Sequence, residues 1–389
     1  MEEVALSSIS FALTEEQQQI RQLARQFAES EIRPHVAYYD ETQEFPYEIF
    51  RKLAELGFLG ILIPQEYGGA GLGALECAII VEEIARVCPA VALGVAAHNG
   101  LCTYHIFRYG SEELRQRYVP PLARGETLGA WALTEPGSGS DAGAMRTVAI
   151  RDGQYYILRG SKNFITHGNV GSIAVVMALT DPEKGKQGIS AFVVDKSMPG
   201  FSANKKENKV GMRCSDTASL LFDDVRVPVE NRLGQEGEGF HQALAILDGG
   251  RITIAALSVG LAQGAFEAAM RYAQERIQFG KPIIEHQAIA MKLARMNTEI
   301  EAARLLTYRA AWLRDNGKPF RREASQAKLY ASEVAVRTAE EAIQIHGGYG
   351  YIKEYPVEKY WRDSKLLTIG EGTSEVQRMV IARSFLGKA

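Results

Sequence analysis

The sequence has 389 residues, 46% of them hydrophobic, with 44 Lys and Arg against 47 Asp and Glu and a formal net charge of -3. This length and apolar content predict a soluble globular protein of two or three domains with a large buried core. The charges are nearly balanced and no run of Lys and Arg is concentrated, so nothing indicates a nucleic-acid partner.

The cysteines and the N-terminal segment bear on the compartment. Four cysteines without a CxxC pair are too sparse to predict a disulfide framework, which favours a reducing compartment. MEEVALSSIS has acidic residues where a secretory signal carries positive charge, and no later run approaches a membrane-spanning segment. We therefore expect a cytoplasmic protein, or the mature form of a mitochondrial-matrix protein, with no membrane insertion.

The first predicted elements are helices. Thr14 and Gln17 have the spacing of a capping box, and apolar residues then recur at helical spacing until Pro34, which is expected to end the helix. The glycine-rich segment QEYGGAGLG separates two further helical stretches, the second being Leu75 to Val87. Residues 1–125 are therefore predicted to form an N-terminal helical domain.

The pattern changes twice further along the chain. Residues 126–233 contain short β-branched and aromatic runs, such as YYILRG and GISAFVVD, that predict a central antiparallel β-domain. Residues 234–389 return to long helical patterns, interrupted at FGKP and NGKP, and are predicted to form a C-terminal helical domain. The predicted fold class is α+β multidomain, in the order helices, β-sheet, helices.

Three glycine clusters look like nucleotide-binding loops but lack the required context. GGAGLG, GSGSDAG and HGGYGY stand between predicted helices or between strands, whereas the G-x-G-x-x-G fingerprint needs a βαβ unit. The seven histidines lack metal-ligand spacing. The sequence therefore predicts neither a Rossmann domain nor a metal site.

One acidic residue has unusual neighbours. In GEGTSEVQ, Glu371 stands between Gly370 and Gly372, and glycine lets another molecule approach the main chain closely. The next residues predict a helix start, with Ser374 as N-cap and Gln377 as its capping-box partner. Glu371 is therefore expected in a loop before a helix, either as a solvated charge at the helix N-terminus or as a group that touches a ligand.

Two strand-to-loop segments are further candidates. WALTEPGSGSDAG is dense in glycine and hydroxyl residues, and it predicts either an ordinary polar turn or a ligand-binding loop. Phe164 and Thr166 are two residues apart, so a regular strand would place them on one face. Core packing would explain Phe164 equally well.

Five segments in one order resemble the acyl-CoA dehydrogenase family, and the resemblance covers nearly the whole chain. They are ALTEPGSGSDAGA at 132–144, LDGGR at 247–251, ERIQFGKPI at 275–283, QIHGGYGYIKEYPVEKYWRD at 344–363 and GEGTSE at 370–375. Such a combination is far more specific than a single motif. The resemblance implies a helical domain, a β-domain and a C-terminal four-helix bundle, assembled as a homotetramer that binds FAD.

The resemblance also implies roles for individual residues. Those that it places around FAD, some of them across a subunit interface, are Leu133, Thr134, Gly139, Ser140, Phe164, Thr166, Arg276, Phe279, Gln287, Gln344, Gly347, Gly348, Thr373 and Glu375. Those that it places at the acyl-CoA substrate are Ser140, Asp248, Arg251 and Gly372. An i,i+3 salt bridge is the alternative for Asp248 and Arg251, and a surface ion pair is the alternative for Arg276.

Glu371 matches the catalytic base of the family. In that role it removes the α-proton of an acyl-CoA thioester while the β-carbon gives hydride to the flavin, and an electron-transfer flavoprotein receives the electrons. Burial beside the ligand should raise the pKa of Glu371, and the nearby helix N-terminus acts weakly in the opposite direction. Gly250 stands where some relatives carry the base, which leaves Glu371 as the candidate.

The resemblance leaves the substrate open. Gly370 stands where many relatives have tyrosine, and Phe164 where many have tryptophan, so the acyl pocket and the flavin surroundings differ from those relatives. Short or medium straight chains are favoured, and branched chains stay open. An oxidase that uses oxygen and a non-catalytic acyl-CoA-binding scaffold are the alternative functions.

Overall fold

The structure is a computed structural model that describes residues 12–386. The segment MEEVALSSIS, on which part of the compartment prediction rests, lies outside this range. The first helices are α1 Glu15–Phe27, α2 Val36–Thr42, α3 Tyr47–Glu55, α4 Ala74–Ala85, α5 Pro89–Ala97, α6 Tyr104–Tyr109 and α7 Glu112–Ala123. They form the predicted helical part, which packs around the buried α4 and α5.

The start of α1 confirms one local prediction and its end corrects another. Gln17 N donates to Thr14 Oγ1 at 3.2 Å and Thr14 N donates to Gln17 Oε1 at 3.0 Å, which is the capping box. Pro34 does not end the helical run. The chain passes through a π-helical turn, Ala28–Ile32, and a 3-10 turn, Arg33–His35, directly into α2, because proline in a first turn needs no N–H partner.

The middle of the chain forms one eight-stranded sheet. Its strands are β1 Gly129–Ala132, β2 Val148–Asp152, β3 Tyr155–Thr166, β4 Ile173–Leu179, β5 Ile189–Asp195, β6 Phe201–Ala203, β7 Thr217–Pro228 and β8 Arg232–Leu233. The order is β6-β7-β3-β2-β4-β5-β8, with β1 paired to β4. Most pairs are antiparallel as predicted, but β4 pairs in parallel with both β1 and β2. Local patterns do not reveal such pairs, because parallel neighbours are joined by long crossovers.

The C-terminal part is built on one long helix. Its elements are α8 Gly239–Glu275, the hairpin β9 Ile277–Gln278 and β10 Lys281–Pro282, α9 Gln287–Asp315, α10 Arg321–His346, α11 Val357–Leu367 and α12 Ser374–Phe385. The predicted interruptions at FGKP and NGKP lie between α8 and α9 and between α9 and α10. Helix α10 packs against α8, α9, α11 and α12, and α8 also packs on α4. The predicted order of helical, β and helical domains is confirmed.

Helix α8 corrects the expectation that no segment approaches a membrane-spanning run. It is long and apolar enough to cross a membrane by length and composition, with a window of mean hydropathy 1.5. That window is 83% buried inside the fold, however. A helix that is apolar on all sides is what the centre of a large core requires, so burial accounts for its composition.

Candidate active site

The loop between α11 and α12 carries Glu371 in a backbone conformation that few side chains adopt. Glu371 has φ +53° and Gly372 has φ +95°, so two consecutive residues are left-handed. A non-glycine residue persists there only where surrounding contacts hold it, and such residues concentrate at functional sites. The glycine at 372 is therefore a conformational requirement as well as an opening to the main chain.

The cap of α12 differs from the prediction by one residue. Thr373, not Ser374, is the N-cap, and its Oγ1 accepts from Val376 N at 3.3 Å. Gln377 does not complete a capping box: its Nε2 donates to Gly372 O at 3.0 Å and to Glu371 O at 3.3 Å. Thr373 and Ser374 both carry a hydroxyl group, and the first of them is the cap. Gln377 therefore lies too far along the helix to complete a capping box, and its side chain binds the loop carbonyls instead.

The Glu371 carboxylate lies on α8 at the position of Gly250. A Cβ added to Gly250 would stand 2.0 Å from Glu371 Oε2 and 3.2 Å from Leu101 Cδ2, so any larger residue would displace the carboxylate. Glu371 as a residue is partly exposed, but Oε2 itself is buried and has no hydrogen-bond partner. A buried carboxylate oxygen without a partner is costly and points to a missing ligand or a catalytic role.

The surroundings set the protonation of Glu371. Burial raises the pKa of Glu371 to about 7, while the positive charges of Lys328 and then Arg251 act to lower it. A carboxylate that titrates near neutral pH is a much stronger base than an exposed one, and is still partly ionised at pH 7. Burial therefore raises the pKa of Glu371 more than the two nearby cations lower it. From the sequence we expected burial to raise this pKa, but with only the helix N-terminus as an opposing influence.

Asp248 and Arg251 form the ion pair that was the alternative interpretation. Arg251 Nη1 is 2.5 Å from Asp248 Oδ1, and Arg321 Nε donates to Asp248 Oδ2 at 2.9 Å. Unlike an ordinary surface pair, both side chains are almost fully buried. Arg251 Nε is buried without a hydrogen-bond partner, so this pair leaves one donor unused beside the Glu371 loop.

The segment after β1 is fastened to the end of β3. Asn163 N donates to Thr134 O at 2.8 Å and Lys162 Nζ donates to Leu133 O at 3.0 Å. Lys162 is fully buried and pairs with Glu135 at 2.8 Å. These bonds join Leu133 and Thr134 to the two residues that precede Phe164, and they keep the loop from behaving as a free polar turn.

Phe164 is not a core residue. Its side chain is 64% exposed and its φ is +58°, within a register shift between Lys162 and Ile165 on β3. The bulge interrupts the alternation, so the two-residue spacing of Phe164 and Thr166 does not by itself fix their faces. Gly139 and Ser140 are exposed, and a Cβ at Gly139 would meet nothing within 4 Å. The region thus offers an exposed ring and an open loop.

A second group of predicted cofactor residues lines a groove of about 640 Å³ at the end of α8. The groove contains Arg276, Phe279, Gly347 and Gly348. Phe279 is 95% exposed at φ +52°, and neither glycine has any atom within 4 Å of an added Cβ. An exposed aromatic ring beside open glycines indicates a surface completed by a ligand or by another subunit.

Other residues that the resemblance places around FAD do not line this groove. Gln287 begins α9 and Gln344 lies in the last turn of α10, and both are exposed but not among the residues that line the groove. Within residues 12–386 Arg276 makes no ion pair, and its guanidinium instead lies 5.4 Å from the ring centre of Tyr349. Thr373 and Glu375 stand at the start of α12.

Two further observations limit other readings. Among the described residues, no group of three His, Cys, Asp or Glu side chains could hold a metal ion. A groove of about 710 Å³ lies beside α3 and the start of β1, but none of its lining residues belongs to the predicted site. Sequence reasoning did not assign Glu135, Lys162 or Lys328 to the site, and it predicted a cap rather than a loop donor for Gln377. Of these, only Lys162 had a signal, since alternation from Tyr156 and Leu158 points it inward.

Comparisons with known proteins identify the family of this chain. Family models match the acyl-CoA dehydrogenase N-terminal domain at residues 14–126, the middle domain at 130–225 and the C-terminal domain at 237–386. The chain is 48% identical over 374 residues, 96% of this chain and 99% of the relative, to the short-chain specific acyl-CoA dehydrogenase of Clostridium acetobutylicum.

Two solved structures also match nearly the whole of this chain. Butyryl-CoA dehydrogenase from Megasphaera elsdenii has a TM-score of 0.95 at 43% identity, covering 97% of this chain and 100% of that one. A chain from work on the electron transferring flavoprotein of Acidaminococcus fermentans has a TM-score of 0.96 at 46% identity, with the same coverage. The chain therefore belongs to the acyl-CoA dehydrogenase family, whose members depend on flavin, and is an oxidoreductase that dehydrogenates acyl-CoA thioesters.

Proposed function

We propose that this protein uses FAD and the base Glu371 to convert short, straight-chain saturated acyl-CoA to trans-2-enoyl-CoA, and that an electron-transfer flavoprotein takes up the electrons. The observation that carries the proposal is the Glu371 carboxylate, whose Oε2 is buried, unpartnered and seated on Gly250. A non-catalytic scaffold would have no reason to retain this costly arrangement.

The residues present fit FAD. Small and open positions at Gly139, Gly347 and Gly348 would let the cofactor approach the backbone, and the exposed ring of Phe164 offers a face for stacking. Arg276 would supply a permanent positive charge to the diphosphate. When bound, FAD supplies the hydride acceptor that dehydrogenation of a C–C bond requires.

The chain itself would handle the proton and the thioester. Glu371 accepts the α-proton, and its pKa of about 7 keeps much of it ionised at neutral pH. Within residues 12–386 the N–H of Glu371 has no hydrogen-bond partner, so it can donate to the thioester carbonyl. Such a donor stabilises the enolate-like charge that develops on that oxygen.

The preference for short chains rests on the space beside Gly250. Leu101, which borders Gly250, forms a small buried cluster with Ala97 and Ile246, and Tyr104, Tyr109 and Trp131 pack against it. Trp131 is held in place, because its Nε1 donates to His105 Nδ1 at 2.9 Å. Large fixed rings leave little room for a long acyl chain. Relatives named as short-chain specific and butyryl-CoA dehydrogenases support the same choice.

The proposal is tested by anaerobic reduction of the flavin. Purified protein reconstituted with FAD is mixed with saturated acyl-CoAs from butyryl to palmitoyl, and loss of oxidised-flavin absorbance is followed. We expect butyryl-CoA or hexanoyl-CoA to bleach the flavin fastest, with palmitoyl-CoA much slower. A flavin-loaded protein that no acyl-CoA bleaches would contradict the proposal, and rapid peroxide formation in air would favour an oxidase instead.

The groove at Arg276 gives a prediction about cofactor retention. We propose that a second subunit completes this groove around the ADP half of FAD, in a homotetramer. Replacing Arg276 by glutamine should lower the affinity for FAD by about tenfold or more, because a charge-assisted bond to a diphosphate is lost. Flavin absorbance after dialysis measures retention, and sedimentation measures assembly.

Arg271→Gln is the matched control for Arg276→Gln. Arg271 lies one turn earlier on α8, is exposed and does not line the groove. We expect this variant to retain FAD like the wild type. Equal retention by the Arg276 variant and the wild type would remove Arg276 from the cofactor site.

A further inference from the structure

A buried lysine contacts the loop that carries Glu371. Lys328 lies near the start of α10, its side chain is fully buried, and Nζ donates to Gly372 O at 2.7 Å. Gln377 Nε2 donates to the same carbonyl at 3.0 Å and to Glu371 O at 3.3 Å. The two carbonyls that frame Gly372 are therefore both tied to buried side chains, on α10 and on α12.

Lys328 is not explained as part of an ordinary salt bridge. Within residues 12–386, no carboxylate lies within 4.0 Å of its Nζ. Burying an ammonium group without a close counter-ion is costly, and a methionine would fill the same space without that cost. The pKa of Lys328 is lowered to about 8 by burial, and the negative charge of Glu371 is the largest influence in the other direction. The unfavourable burial of the Lys328 ammonium group therefore occurs beside the proposed base.

The bond from Lys328 also acts on the strained backbone. Glu371 and Gly372 are both left-handed, and such residues revert to common conformations unless tertiary contacts hold them. Lys328 supplies the strongest of these contacts, since a charged donor makes a stronger bond than a neutral one. It approaches from α10, whereas the Glu371 carboxylate rests on α8 at Gly250.

We propose that Lys328 is a positioning residue for the dehydrogenation, and that its ammonium group holds the Gly372 carbonyl and keeps the neighbouring Glu371 ionised when the protein meets its substrate. The inference rests on the proposed role of Glu371 as base. Lys328 touches neither substrate nor reacting atoms in this account. It acts through the loop geometry and through its charge.

Other charged groups face the same region, and a pH experiment must distinguish their effects on Glu371 from the effect of Lys328. Arg251 on α8 is the second cation near Glu371, but Asp248 already neutralises it in part. The pKa of Lys328 also depends on the positive charge of Arg251, which lowers it, and on the carboxylates of Glu375 and Glu333, which raise it. Of the two cations near Glu371, only Lys328 has no close carboxylate partner, so its removal should change the titration of the base most directly.

Three substitutions separate the charge of Lys328 from its hydrogen bond. Lys328→Met removes both, Lys328→Gln keeps a donor but removes the charge, and Lys328→Arg keeps both. Each variant, loaded with FAD, is mixed anaerobically with butyryl-CoA from pH 5.5 to 9.5. The second-order rate constant of flavin reduction is measured because it reports the titration of the free enzyme. FAD content and Tm show whether each variant is folded.

We expect the acid limb of the Met and Gln variants to move upward by about one pH unit or more, the effect of removing one nearby opposite charge. At pH 6 their rate constants should be about tenfold lower than that of the wild type. At pH 9, where Lys328 is itself largely neutral, the Gln variant should approach the wild type. Lys328→Arg should keep the wild-type midpoint even if its plateau is lower.

Several results would overturn the role of Lys328. Loss of rate by the same factor at every pH, with an unchanged midpoint, would make it only a structural residue, and wild-type rates throughout would give it no role. Should both neutral variants fail to fold, a shifted midpoint in Lys328→Arg, which retains the charge, would overturn the proposal. If wild-type flavin is not bleached, or if Glu371→Gln is bleached normally, the proposed function fails first and this proposal falls with it.

Discussion

Glu371→Gln should bind FAD and acyl-CoA normally but reduce its flavin about 10²- to 10⁴-fold more slowly than the wild type. Glutamine keeps the size and the buried position of the side chain, but it cannot accept the α-proton, and general base catalysis contributes about that factor. Single-turnover anaerobic reduction by butyryl-CoA measures the effect without the electron acceptor. The same variant should still give spectral perturbation of the flavin on binding acyl-CoA, since the substrate site is intact.

The matched control is Glu48→Gln on α3, which removes one carboxylate at an exposed position that pairs with Arg51. Exposed pairs of this kind contribute little, so both activity and stability should stay at wild-type values. If Glu371→Gln reduced its flavin within about tenfold of this control, Glu371 would not be the base. The proton would then have to leave to another group.

The raised pKa of Glu371 gives two pH dependences of opposite sign. Reduction requires the carboxylate form, so the second-order rate constant should fall about tenfold per pH unit below pH 7, where the base becomes protonated. Stability should change in the other direction. The folded pKa lies above the unfolded value of 4.5, so the favourable contribution of the protonated form is present below about pH 4.5 and is lost as pH rises to about 7.

A comparison of Tm tests the second dependence. Glutamine stays neutral, so Glu371→Gln should melt at a higher temperature than the wild type at pH 8, and the two should converge at pH 4. This is the expected conflict between stability and activity at a site that buries a functional charge. Equal Tm values at pH 8 would show that burial of Glu371 carries no cost in the folded protein.

Glu371 could be singled out in the sequence because the pattern around it is local, and the family resemblance then implied the role of base that we propose for it. Two glycines flank one glutamate, and both the left-handed φ of Gly372 and the unpartnered Glu371 Oε2 agree with the expectation of a ligand contact. The predicted N-cap of α12 was wrong by one residue, because Thr373 and Ser374 are both good N-caps. Local sequence cannot choose between them. The choice depends on Gln377, which the loop uses as a donor.

Features that depend on contacts between distant parts of the chain could not be predicted from local patterns. Lys328 follows the alanine-rich pattern of α10 and looks like a solvated charge until α12 and its loop are packed on that side. The parallel pairing of β1 with β4 likewise depends on residues 44 positions apart in the chain, such as Gly129 and Ile173. Periodicity predicts which face is apolar, but not which polar residue is buried against a loop from another element. The helical, β and helical order survives because it needs only local patterns.

Gly250→Ala should leave the protein folded but make it about 100-fold slower in flavin reduction. Alanine is favoured over glycine within a helix by about 0.5–1 kcal/mol, and the new methyl group would meet only the ends of flexible side chains. It would, however, stand 2.0 Å from Glu371 Oε2, so the carboxylate must move away, and a displacement of about 1 Å can cost about 10²-fold in rate. Gly249→Ala is the control, because its methyl group would meet Arg314 Nη1 at 2.8 Å instead. Equal rates for the two alanine variants, with equal Tm, would mean that α8 does not support the base.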